Sequence, residues 1–231
     1  MIRTVLMDYD STIHDMDGVM ERSLDGVLGY SGEDLYRIWV YDVHRALIHT
    51  RYLDRHDDAI FHCRLLFDQL RLPFDKTAAE EICTKFEEAN EKAQADPIYY
   101  PDVIPALDAL KEMGVTLCLS TGFGAERKAE TLEKRTGKSY FTETFSEPKL
   151  GLLKTEPGYY RKALSILGSK PRETVSVGDT PLSDIRPAKL VGIWTIWVNR
   201  DMEEKPSSPE QQPDYETSNL KEAVKIIRRI D

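Results

Sequence analysis

Two carboxylates stand two residues apart in Asp8-Tyr9-Asp10-Ser11-Thr12, directly after the apolar run Ile2 to Met7. That run carries β-branched residues and stops abruptly at Asp8, as a buried parallel strand does, so both acids lie on the exit from strand to loop. Like charges so close repel one another, and a hard divalent cation between them would relieve the repulsion. Taken alone, an Asp-x-Asp after a strand serves equally well as a solvated turn or a helix cap.

Three further signals follow. Ser120-Thr121-Gly122 ends the run Val115 to Ser120, where hydroxyls and backbone N–H groups at a following helix start could hold phosphate oxygens. Lys154 in Lys154-Thr155-Glu156-Pro157 precedes a helix bearing Tyr160, Ala163, Leu164 and Leu167 and stopped by Gly168. Gly178-Asp179-Thr180-Pro181-Leu182-Ser183-Asp184 places two more acids on the loop after the run Thr174 to Gly178. Each alone has a bland reading, as a helix start, a solvated lysine or an ordinary loop. All four fall at strand exits or between strands, where open α/β sheets put their sites.

The elements that must position them alternate. Runs at 2–7, 115–120, 174–178 and 193–198 are short, apolar and separated by helical patterns, which reads as βαβ units in a doubly wound parallel sheet. From about residue 17 to 97 the pattern is helical only. Ser31 and Asp34 form a capping-box-like start for Leu35, Ile38, Trp39, Val43, Ala46 and Leu47. A second stripe is Ile60, Cys63, Phe67 and Leu70, and a third is Ile82, Phe86 and Ala89. The expected organisation is an α/β core over 1–16 and 98–231, interrupted by an α-helical cap over 17–97, with the chain crossing near 14–17 and 96–101. The polar, proline-bearing segment 201–218 reads as a surface loop before a last amphipathic helix.

Composition narrows the function classes. With 41% hydrophobic and 31% charged residues the chain is an ordinary globular one, and no apolar run approaches the ~20 residues of a membrane helix. A net charge of −9 disfavours nucleic acid and anionic lipid as partners. Cys63, Cys83 and Cys118 are widely spaced without a Cys-x-x-Cys pair, and Met1 leads directly into a strand, so a reducing cytoplasmic setting is expected. The five histidines, His14, His44, His49, His56 and His62, include no His-x-x-x-His pair and read as surface or cap-core residues rather than zinc ligands. Trp39, Tyr41 and Tyr52 read as packing. Gly122-Phe123-Gly124 lacks the third glycine of a dinucleotide loop, because position 127 is Arg.

Together the four signals, in order, resemble the four motifs of the haloacid dehalogenase superfamily, and the resemblance spans nearly the whole chain. The helical block between the first and second also lies where that superfamily inserts its C1-type caps. The resemblance implies a Rossmann-like core and a Mg²⁺-dependent phosphatase acting through an aspartyl-phosphate. Asp8 would be nucleophile and metal ligand. Asp10 would be general acid/base, with its backbone carbonyl on the metal. Ser120, with Thr121 and Gly122, would hold phosphate, and Lys154 would offset its charge. Asp179 would ligate the metal, and Asp184 would assist it or orient Lys154. Tyr9, Ser11 and Thr155 depart from the commonest pattern, and Lys149 competes with Lys154 for the lysine role.

The implied substrate is a small phosphorylated metabolite: a sugar phosphate, phosphoglycolate or a nucleoside monophosphate. Alternatives within the fold are a phosphomutase and a 2-haloacid dehalogenase; Asp10 argues against the second, since halide departure needs no proton donor. From another class, a receiver-like signalling module also phosphorylates an Asp, but its acceptor lies mid-domain and it carries no such helical insertion.

Overall fold

The first strand, β1 (Thr4–Met7), is buried at every position, which explains its unbroken apolar run: a central parallel strand is covered on both faces. The computed structural model describes residues 1–55 and 58–230, which places His56 outside the described residues, as are the side chains of His49 and Leu53. Around β1 lie β2 (Thr116–Ser120), β3 (Glu143–Phe145), β4 (Thr174–Gly178), β5 (Trp194–Val198) and β6 (Tyr215–Thr217). They form one sheet of order β3-β2-β1-β4-β5-β6 in which every pairing is parallel. This is a doubly wound α/β sheet, and its order reverses direction beside β1, the place where such sheets open a crevice.

Strand periodicity sends alternate residues to opposite faces. Val5, Met7, Leu117, Leu119, Val175 and Val177 pack on one face, against the helices Val103–Glu112 and Leu220–Ile227. Leu6 and Cys118 pack on the other, with Tyr159, Tyr160 and Ala163 of the helix Pro157–Leu167. Register then fixes the site. Met7 pairs with Leu119 on one side and Val177 on the other, so Asp8, Ser120 and Gly178 are level, each one step further along its chain.

Two strands depart from the sequence expectation. β3 and β6 have three residues each, too few to display a period, and β6 lies inside the segment read as a surface loop. Pairing with β2 and β5, rather than local propensity, makes them strands.

By its internal contacts the chain divides into two units, Met1–His14 with Tyr99–Asp231, and Asp15–Ile98. The second unit is helical. Its helices Asp17–Leu24, Gly32–Arg37, Ala59–Gln69 and Lys76–Ala95 bury Leu24, Leu35, Leu66, Phe67 and Ile82. Ser31 does cap its helix, accepting from the Asp34 N–H at 3.1 Å. The segment Ile38–Ile48 winds as a π-helix, where the apolar spacing suggested a regular continuation. Trp39 stacks on His62 and packs against the tilted ring of Phe86, a packing role. Among the described residues, no helix is long and apolar enough to cross a membrane.

Candidate active site

Asp8 leaves β1 buried, and its carboxylate is in ion-pair contact with the Lys154 ammonium. Lys154 Nζ also lies 2.6 Å from Asp184 Oδ1, so one buried cation bridges two buried carboxylates. Three elements supply the three charges: the exit of β1, the loop before Pro157–Leu167, and the loop after β4. Lys149 lies elsewhere, on the surface, with Glu143 at 2.8 Å and Glu126 at 3.3 Å.

The loop after β4 is held from several sides. Asp184 Oδ2 accepts from the Thr180 N–H at 3.0 Å, and the Tyr160 hydroxyl donates to the Ser183 carbonyl at 2.7 Å. The Asp184 carboxylate packs directly on Gly178, where any Cβ would overlap it, so this site requires glycine before Asp179. Asp179 accepts from the Thr12 hydroxyl at 3.3 Å and from the Thr180 hydroxyl at 3.0 Å. One carboxylate oxygen from each of Asp8, Asp179 and Asp184 lies within 4.8 Å of the others.

This donor set fits a hard divalent cation. Burial pushes the Asp8 carboxyl up. Lys154 opposes the rise, but the Asp184 charge adds to it, and the net is a value of about 7. Burial pushes Lys154 down, yet the charges of Asp184 and Asp8 outweigh it and hold the ammonium well above its ordinary value. Lys154 pairs with two of the three clustered carboxylates, so the group is short of positive charge, and oxygen donors are what Mg²⁺ takes.

Asp10 is set apart from this cluster. Its Oδ1 lies 3.3 Å from His14 Nδ1, and its Oδ2 lies 2.5 Å from Lys128 Nζ. Burial raises the Asp10 carboxyl, but the His14 hydrogen bond and the Lys128 charge overcome it and lower the value to about 2. The next residue, Ser11, has φ +56°, the left-handed region that costs a residue with a Cβ roughly 1–2 kcal/mol and that glycine enters freely. His14 departs from the reading of the histidines as surface or cap-core residues: it belongs to the α/β unit, is buried, and contacts Asp10.

On the second strand's exit, the Ser120 hydroxyl is buried and donates to the Tyr159 hydroxyl at 3.2 Å. Thr121 departs from expectation in one respect. Its backbone N–H donates to the Phe145 carbonyl at 3.1 Å and is committed to the sheet, so its hydroxyl, 3.1 Å from Lys128 Nζ, is the group facing the site. Gly122 sits beyond it, before Gly124 opens the helix Ala125–Thr136. Lys128 and Tyr159 had no signal of their own in the sequence. Lys128 sits in a charged helical run that reads as solvated, and Tyr159 in a helix that reads as packing.

Comparison with known proteins finds relatives of this chain. A glyceraldehyde 3-phosphate phosphatase from Methanopyrus kandleri is 35% identical over 135 residues, 57% of each chain. A phosphoserine phosphatase from Thermus thermophilus is 30% identical over 64% of this chain. The chain spans 57% and 61% of the lengths of these two relatives. The HAD-hydrolase YfnB from Bacillus subtilis, solved bound to magnesium, shares the fold with a TM-score of 0.73 at 20% identity, over 98% of each chain. Solved dehalogenases share it too, an L-2-haloacid dehalogenase among them. The model of the haloacid dehalogenase-like hydrolases matches residues 2–192, and the chain belongs to that family.

Proposed function

We propose that this hydrolase is a Mg²⁺-dependent phosphatase that cleaves small phosphate monoesters through a phosphorylated Asp8. The observation that carries the reading is the buried Asp8 carboxylate, level with Ser120, touching Lys154 and grouped with Asp179 and Asp184. Asp8, Asp179 and Asp184 would hold the ion, with the Asp10 carbonyl as a further ligand. When bound, Mg²⁺ would neutralise phosphate charge that otherwise repels a carboxylate nucleophile.

The chain's own groups account for the rest. Asp8 attacks phosphorus. Lys154 offsets the phosphoryl charge, and Ser120, with Thr121 and Gly122, orients its oxygens. Asp10 gives a proton to the departing alkoxide and takes one from the water that hydrolyses the aspartyl-phosphate. In the resting arrangement Asp10 is ionised, the state the second step needs; an arriving phosphate dianion raises its pKa toward the acid state the first step needs. A halide leaves without a proton, so this apparatus favours phosphate esters over haloacids.

The phosphatase names of the relatives support a phosphorylated metabolite as substrate, sugar phosphates and phosphoserine included. The test is a panel of phosphorylated metabolites with 2-chloropropionate as a contrast, each run with Mg²⁺ and after chelation. Mg²⁺-dependent release of phosphate is expected. Undiminished turnover after rigorous chelation, or halide release without phosphate release, would reject the reading.

A further inference from the structure

Lysines on helices ordinarily extend into water, because ordering the side chain costs entropy. Lys128 does not: its side chain is only 14% exposed, and it reaches from the helix Ala125–Thr136 to the loop after β1. Three contacts fix it there. Nζ lies 2.5 Å from Asp10 Oδ2, 3.1 Å from Thr121 Oγ1 and 5.0 Å from the centre of the Tyr9 ring. The first two partners belong to the exits of adjacent strands β1 and β2, so the ammonium ties those exits together.

The other Asp10 oxygen is held by His14 from within the same loop. A carboxylate gripped through both oxygens by different partners cannot turn about its terminal bond without losing one of them. Without Lys128 the restraint would be one-sided, on a side chain that is 43% exposed even with Lys128 in place. Proton transfer depends steeply on such placement, since donor and acceptor must come within hydrogen-bond reach in the transition state.

We propose that Lys128 is a positioning residue for this reaction: it sets the orientation of the Asp10 carboxylate relative to the leaving group and acts on turnover only through Asp10. The proposal rests on the reading of Asp10 as general acid/base.

The experiment compares kcat/KM for an alkyl phosphate, whose alkoxide needs a proton, with that for p-nitrophenyl phosphate, whose leaving group does not. Because kcat/KM covers only the steps through leaving-group departure, the later hydrolysis does not blur the comparison. Lys128→Met should lower the alkyl-to-aryl ratio about tenfold or more, within the 10²- to 10⁴-fold that a general acid supplies. Lys128→Arg, which keeps a donor, should recover most of it, and Lys128→Met should cost nothing further in an Asp10→Asn background. An equal loss on both esters, or additive losses in the double variant, overturns the proposal. A crystal structure of Lys128→Met gives a readout independent of activity: the Asp10 carboxylate should leave its position, and an unmoved carboxylate overturns the proposal. A wild-type protein that hydrolyses neither ester rejects the phosphatase reading and leaves the structural arm to decide the positioning claim.

Discussion

Both units are built on apolar side chains, but they differ in what else they bury. Among the described residues, thirteen of the fourteen buried polar or charged side chains belong to the α/β unit, and the helical unit contributes only His62. Burying a charge is costly unless it is paired, whereas apolar burial is favourable nearly everywhere. The helical unit therefore looks like a core assembled for packing. The α/β unit brings Asp8, Lys154 and Asp184 together from three elements, at an energetic cost that packing alone would not select. Beside that cluster Ser11, next to Asp10, also holds a left-handed backbone conformation.

The largest effect should come from unbalancing that cluster. Lys154→Met leaves Asp8 and Asp184 buried without their cation and should cost about 3–5 kcal/mol in urea unfolding. Adding Asp184→Asn should recover part of the loss, because one of the two orphaned charges is then gone. A single variant as stable as wild type would show that the three groups do not compensate one another. Trimming the helical unit should do much less. Ile82→Val, at a fully buried position in Lys76–Ala95, should cost about 0.5–1.5 kcal/mol and leave hydrolysis of a generic aryl phosphate intact. A collapse of activity in that variant would dissolve the contrast between the units.

The smallest effect expected is on the acid limb of stability. Burial raises the Asp102 carboxyl, but the Arg200 guanidinium at 3.1 Å and the Leu220 N–H at 2.6 Å outweigh it and hold it below the usual range. A depressed folded pKa adds stability above the unfolded value of ~3.9, and that stability is lost as pH falls through the folded value. Asp102→Asn should be less stable than wild type at neutral pH, with the gap closing in acid. A gap that widens in acid would reverse the sign and refute the assignment.

The contrast between the units also explains what could be read from the sequence. Strand exits announce themselves locally, as an apolar run cut off by Asp8, Ser120 or Gly178, and the parallel register then brings those exits level. Helical stripes such as Ile60, Cys63 and Phe67 announce packing in the same local way. What stayed hidden depends on contacts across the chain. Lys128 meets Asp10 from 118 residues away, and Tyr159 meets Ser120 from 39 away. The Thr121 N–H is spent on β3, a strand too short to show a period. Sequence position does not reveal that the His14 ring turns toward Asp10.

Whether Asp8 takes up the phosphoryl group is decided most directly by quenching a turnover mixture in acid within the first cycles and mapping the phosphopeptide by mass spectrometry. Phosphate should appear on the peptide containing Asp8. It should build up further in Asp10→Asn, where the hydrolytic step is slowed, and be absent from Asp8→Asn. Phosphate on a different residue, or sustained turnover with no phosphopeptide in either wild type or Asp10→Asn, would contradict an aspartyl-phosphate at this site.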